Sequence, residues 1–205
     1  MPKDKTASHI QVMVAVKEEF LEKGFEAASV RSIAARAGMS AAGLYRHYAN
    51  KEAMFEDLVQ PLIREMDAWT QHHKEQSYER MQQGEEGKES LLGESMIDLI
   101  RKVVYPQKDV FQVLMKGAAG SRYEDFMHRY VEVQQKEMTQ ALDYMREHGY
   151  PVQEISKEEL HMLLSAYTAA IFEPVLHDYP EEQMNHCLDM ASRFFLPGWK
   201  EIMGI

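Results

Sequence analysis

Apolar residues recur at three- and four-residue spacing along nearly the whole chain, and no run alternates long enough to suggest a strand. This pattern predicts an all-α protein. Near the start, Ile10, Met13, Val14, Phe20 and Leu21 are read as one helix face, with Thr6 or Ser8 as its cap. Lys23-Gly24-Phe25 closes that helix with a basic residue, a glycine and an apolar plug. Ser29 then caps a second helix carrying Val30, Ile33, Ala34 and Ala37. Gly38 supplies a sharp turn, Met39 fills the corner, and Ser40 caps a third, short helix held by Leu44.

Beyond this point the chain reads as helices throughout. Phe55, Leu58, Val59, Leu62, Met66 and Trp69 stripe a helix over residues 51–74, with Asn50 as its cap; Pro61 is expected to bend or break it. Residues 75–90 are charged, interrupted by glycine and poor in apolar side chains, which predicts a loop. Further helices are expected over 91–105, stopped by Pro106, and over 109–119. Another should run over 121–148 from a Ser121 cap to Gly149-Tyr-Pro151. Ser156 with Glu159 forms a capping box opening a helix over 157–177, and Pro180 begins a last one over 180–195.

Helix, glycine turn, short helix is the helix-turn-helix pattern. Ala41, Ala42 and Gly43 are small enough to let backbone approach base edges, while Tyr45, Arg46, His47 and Tyr48 crowd the far end. Arg46 can fork onto guanine or clamp a phosphate. Tyr45 and His47 carry donors at phosphate reach, and the amides opening the next helix, with Lys51, suit an anion. The plainer reading, a three-helix packing unit with exposed Tyr and Arg, leaves unexplained why so many phosphate donors gather within seven residues.

Three runs then align in order: Phe20-x-x-Lys-Gly-Phe25, Ala28-Ser-Val-Arg-x-Ile-Ala-x-x-Ala-Gly-Met-Ser40 and Leu44-Tyr-x-His-Tyr-x-Asn-Lys-Glu52. Together they resemble the N-terminal domain of the TetR family of bacterial transcriptional regulators over residues 8–60. The resemblance implies that Ser29, Ser40, Tyr45, His47 and Lys51 hold phosphates, and that Ala41, Ala42 and Arg46 face the bases of double-stranded DNA. Ala41 stands where a lysine is often found in that family. Readout is therefore expected to lean on Arg46, on contact of the alanines with thymine methyls, and on DNA shape.

Charge changes the picture only once it is partitioned. The chain carries a net charge of −10, yet its first 51 residues hold eight Lys or Arg against five Asp or Glu. The remainder holds fifteen against twenty-eight, so a basic reader is joined to an acidic body. With the resemblance, this implies a division into residues 1–51, a DNA-binding domain, and 52–205, an effector-binding and dimerisation domain. Glu18, Glu19 and Glu22 are read as a solvated face. One cysteine, Cys187, favours a reducing compartment, and with no signal-like or membrane-length apolar segment a cytoplasmic protein is expected.

In the body, the helix over 157–177 is apolar on nearly every side, and the last adds Met184, Leu188, Ala191, Phe194 and Phe195. Two such helices from each of two chains would make a four-helix interface, in keeping with the dimers of the family the chain resembles. A two-fold dimer would set two readers on half-sites of a palindrome about 34–36 Å apart. Phe111, Met115, Phe126, Tyr130, Tyr167 and Phe172, with His161 as a polar member, are candidate lining for a small-molecule effector site. Taken singly each is more simply core, and only the resemblance lifts the pocket reading. The helix from Lys51, read as the sole covalent path between the parts, would be the lever coupling ligand to DNA. No spacing matches a zinc site or any cofactor site, and no nucleophile or phosphate-loop motif points to an enzyme. The alternatives are a regulator governed by a protein partner and, less favoured, a small helical enzyme.

Overall fold

Helix α1, Lys5–Ala27, buries Val12, Ala15, Val16 and Phe20 in this computed structural model, which describes residues 5–82 and 94–204. The expected face differs. Ile10, Val14 and Leu21 lie on the open side, Ile10 at 59% exposure, and only Phe20 of the expected set is fully buried. Several interleaved apolar stripes fit this helix, and packing against neighbours selected the one that carries Glu19 beside Phe20.

The next elements follow the expected order: α2, Val30–Arg36; α3, Ala41–Leu44; and α4, Lys51–Gln82. Gly38 turns the chain at φ +63, with Met39 N donating to Ala34 O at 2.9 Å and Gly38 N to Ala35 O at 3.1 Å. That paired pattern satisfies carbonyls at the end of α2 and aims α3 away from it. Asn50 Oδ1 accepts from Ala53 N at 2.8 Å as the cap of α4. Pro61 stands inside α4 without breaking it. The helix also continues past residue 74 to Gln82, so residues 75–82 are not a loop; the rest of that expected loop, 83–90, lies outside the described residues.

After α5, Glu94–Leu99, the backbone widens into a π turn over Ile100–Val104 and tightens into a 3₁₀ turn over Tyr105–Gln107. Pro106, unable to donate a backbone hydrogen bond, accounts for the change of pitch. Then come α6, Lys108–Lys116; α7, Phe126–Glu147; α8, Lys157–Leu176; and α9, Glu181–Met203. Ser121 does not open α7. Its hydroxyl donates to Ala118 O at 2.7 Å and accepts from Tyr123 N at 3.1 Å, holding a tight turn before the helix begins. Ser156 and Glu159 form both halves of the capping box of α8. The last helix runs past residue 195, through Pro197, to Met203. The described residues contain helices and turns but no strand.

The chain forms two compact units. One holds the residues up to Arg64 together with Gln107–Phe126; the other holds Glu65–Pro106 and the chain from Met127 onward. The polypeptide therefore passes between units three times, and the helix from Lys51 is not the only covalent path. In the first unit, α6 lies against α1. Lys17 Nζ meets Asp109 Oδ2 at 2.9 Å, and Phe25 N donates to Gly117 O at 2.7 Å. Phe20, Phe25, Phe55 and Tyr123 stack and edge together with ring centroids 5.1–5.9 Å apart. In the second unit, α8 packs on α9, where Tyr167 meets Phe195 and Trp199. Arg101 reaches Asn185 and Asp189 of α9.

The α1–α6 approach depends on small residues. A Cβ on Gly117 would sit 3.3 Å from Phe20 O across the contact with α1 and 2.9 Å from Val113 O of α6 itself, both backbone atoms that cannot swing aside. Gly117→Ala should therefore destabilise the first unit by about 1–3 kcal/mol, read as a lowered midpoint in urea unfolding. An unchanged midpoint would show that the two helices can separate freely.

Candidate nucleic-acid interface

The reading head is built from capped turns. Ser29 Oγ accepts from Ser32 N at 3.1 Å, and Ser40 Oγ accepts from Gly43 N at 3.0 Å. Both serines thus hold helix starts and remain exposed. Ala41 and Ala42 open α3, with Ala42 facing outward, while Gly43 and Leu44 are buried beneath them. Tyr45 is 52% exposed, and Arg46 and His47 are exposed with it in the turn after α3. The expected base-facing and phosphate-facing side chains from Ser40 to His47 thus lie on one short, accessible segment, while Ser29 stands apart at the start of α2.

Tyr48 belongs to the interior. Its hydroxyl donates to Asp57 Oδ2 at 2.6 Å and lies 3.2 Å from both His9 Nδ1 and Met13 Sδ. Burial, then the bond to Asp57, pushes its ionisation well above the usual tyrosine range. It serves as a neutral strut joining the end of the head to α1 and α4.

Lys51 also turns inward. Its ammonium donates to the carbonyls of Phe25, Glu26 and Ala28, the last two at 3.2 and 3.1 Å, and stands 4.4 Å above the Phe25 ring.

One residue of the head was not legible as functional from its sequence setting. Glu19, expected on a solvated face, is fully buried and accepts four hydrogen bonds. Ser32 Oγ donates at 2.7 Å, Arg36 Nε at 2.9 Å, Lys23 Nζ at 3.0 Å and Ser29 N at 3.4 Å. Glu18 and Glu22 do stay exposed, and both pair with Arg36 at the rim. Ser32 and Arg36 lie three and seven residues after Ser29, so one carboxylate spans the whole of α2. No local pattern announces this. A clue lies in Lys23, Ser32 and Arg36, three donors that converge on this carboxylate from two helices.

The candidate effector-lining residues do not form one group within either unit. Phe111, Met115 and Phe126 belong to the first unit, Phe111 fully buried. Tyr130, His161, Tyr167 and Phe172 belong to the second. There Tyr130 packs on Phe172 with ring centroids 5.5 Å apart, and burial raises the ionisation of Tyr130 and Tyr167 far above the usual range. His161 Nδ1 lies 3.2 Å from Gln135 Oε1. Among the described residues, Thr168 Oγ1 and Trp199 Nε1 are buried without a hydrogen-bond partner.

A three-helix head with a capped, small-residue second helix and an outward polar cluster defines a helix-turn-helix regulator, followed here by a larger helical part. Residues 12–58, the head and the start of α4, match the family model of bacterial regulatory proteins, tetR family. No curated protein is similar enough in sequence to count as a match. Among solved structures, the chain resembles the fatty acid degradation regulator FadR from Bacillus halodurans, with 16% identity and a TM-score of 0.60 over 96% of this chain and 98% of that one. NalD, the secondary repressor of the MexAB-OprM multidrug efflux pump in Pseudomonas aeruginosa, is 18% identical with a TM-score of 0.55, over 93% and 97%. A TetR-family regulator from Mesorhizobium loti is 15% identical with a TM-score of 0.54, over 96% and 98%. At these identities the likeness is one of fold. No described helix is long and apolar enough to cross a membrane.

Glu19 makes the head sensitive to acid. Burial would raise its pKa, but bonds from Ser32, Lys23, Ser29 and Arg36 outweigh that and hold it at about 2, against 4.5 for a free glutamate. The folded form thus binds its proton less readily than the unfolded form. The resulting stability is full above pH 4.5 and drains away as pH falls toward 2, by about 3 kcal/mol in all. Urea unfolding from pH 7 down to 3 should show most of this loss, and Glu19→Gln should flatten it. A variant retaining the full acid dependence would place the titrating group elsewhere.

Proposed function

We propose that the chain is a homodimeric repressor that grips a palindromic duplex through two reading heads and releases it when a small molecule binds the helical body. The observation that carries the DNA part is the head itself: Ala41, Ala42 and Arg46 share an accessible segment with Tyr45 and His47, above a core that fixes α2 and α3. Arg46 reads a base edge, the alanines meet thymine methyls, and Ser29, Ser40, Tyr45 and His47 bind phosphates. The acidic body keeps indiscriminate contact with DNA weak.

Support for the dimer comes from α8 and α9. Met162, Met190 and Phe194 are exposed at 61%, 51% and 76%, and Ala166 and Ala169 lie open beside Met162 on α8. Large apolar side chains left open on both helices of this pair fit a second copy of the same pair, buried across a two-fold axis. Support for the effector is the unsatisfied Thr168 hydroxyl and Trp199 indole, with the buried Tyr130 and Tyr167, in the helical body. A ligand bound preferentially to a dimer with misplaced heads lowers DNA affinity by the same coupling free energy, for which about 1–3 kcal/mol suffices.

Selection of duplexes from a random pool tests the central reading. The bound sequences should share an inverted repeat, and their affinity should fall steeply with added salt. Arg46→Ala should cost about 1–3 kcal/mol and relax preference at one base pair, while Tyr45→Phe weakens all sequences alike. A pool left unenriched at low ionic strength would end the DNA reading. For assembly, Phe194→Glu should convert a dimer into a monomer by sedimentation at micromolar concentration; an unaltered chain that is already monomeric there would exclude this interface.

A further inference from the structure

We infer that Lys51 positions the reading head and does not itself bind a phosphate; the inference rests on the DNA reading above. Lys51 is the first residue of α4, where the helix dipole is positive and a cation is unwelcome. Its surroundings reverse that bias. The ammonium has three N–H donors, and the carbonyls of Phe25, Glu26 and Ala28 take them. Phe25 and Glu26 follow the break in α1 at Gly24, where φ is +72, and Ala28 lies just past the helix, so these oxygens fall where a helix end leaves carbonyls without intrahelical partners. The Phe25 ring supplies a face 4.4 Å from the nitrogen. Swinging outward to a phosphate would strand these carbonyls and give up the ring contact for one new ion pair.

The consequence is positional. Residues 45–50 link α3 directly to Lys51, so tying Lys51 to the end of α1 fixes where the reading segment stops. Phe25, beneath the ammonium, also donates its backbone N–H to Gly117 at the end of α6. One side chain thereby registers α1 and α4 where α6 also abuts, all inside the first unit.

Arginine separates the two roles. A guanidinium is at least as good a phosphate ligand as an ammonium, but its planar fork does not fit three convergent carbonyls. Lys51→Arg and Lys51→Ala should each weaken binding to a duplex selected by the unaltered chain about tenfold, at a temperature where the helical circular-dichroism signal is intact. The slope of log affinity against log salt should remain that of the unaltered chain. Full affinity in Lys51→Arg, or a slope shallower by about 0.9 per protomer in Lys51→Ala, would make Lys51 a phosphate ligand and overturn the proposal. Unchanged affinity in both variants would overturn it as well. Should Lys51→Arg fail to fold, the salt slope of Lys51→Ala decides. Failure of the unaltered chain to bind any duplex would instead remove the DNA reading, and this inference with it.

Discussion

A single buried carboxylate holds the reading head in shape. Glu19 sits on α1 but takes its hydrogen bonds from both ends of α2, through the Ser29 amide and Ser32 hydroxyl at one end and the Arg36 guanidinium at the other. A charge moved out of water is tolerated only when its lone pairs are filled, and here four donors fill them. The arrangement fixes α2 in rotation as well as distance, because donors seven residues apart must converge on two oxygen atoms. With α2 set, the Gly38 turn and the Ser40 cap leave α3 little freedom. The direction in which Ala42, Tyr45 and Arg46 point is thus inherited from a side chain on another helix that never meets solvent.

The same logic of borrowed support runs through the first unit. Its core is assembled from a discontinuous chain, with α6 and the turn around Ser121 returning to the head after an excursion through the second unit. Phe25 is the meeting point: its ring packs on Phe20 and Phe55, its amide binds Gly117, and its carbonyl and ring receive Lys51. Gly117 allows the helices to approach so closely that backbone bonds backbone. For a regulator this matters, because a segment covalently continuous with the body is built into the DNA-reading unit.

Much of this architecture is legible in the amino-acid sequence. Capping serines at 29, 40 and 156, the Gly38 turn, the Asn50 cap and the absence of strand periodicity are local signals, each set by a few neighbouring residues, and the structure carries them where expected. Ser121 resembles such a cap in sequence but holds a turn instead, because a serine that fits a helix start fits a tight turn equally well. Residues 75–82 are polar and so predict a loop, yet they continue α4, because Ser77 is buried there and Tyr78 packs edge-on against Tyr144 of α7. Pro61 lacks only one hydrogen-bond donor, and α4 carries on around it.

Composition and order along the chain therefore determined the helical class, the helix-turn-helix and the outward cluster from Tyr45 to His47, since these depend on interactions within a few residues. Tertiary structure alone decided which stripe of α1 is buried, that Glu19 rather than Glu18 or Glu22 goes inside, and that Lys51 and Tyr48 face inward while Tyr45 and Arg46 do not. Such choices follow from which distant groups arrive opposite a side chain. Glutamates with the same chemistry one and three residues from Glu19 have opposite fates because only its position faces Ser32, Lys23 and Arg36 together.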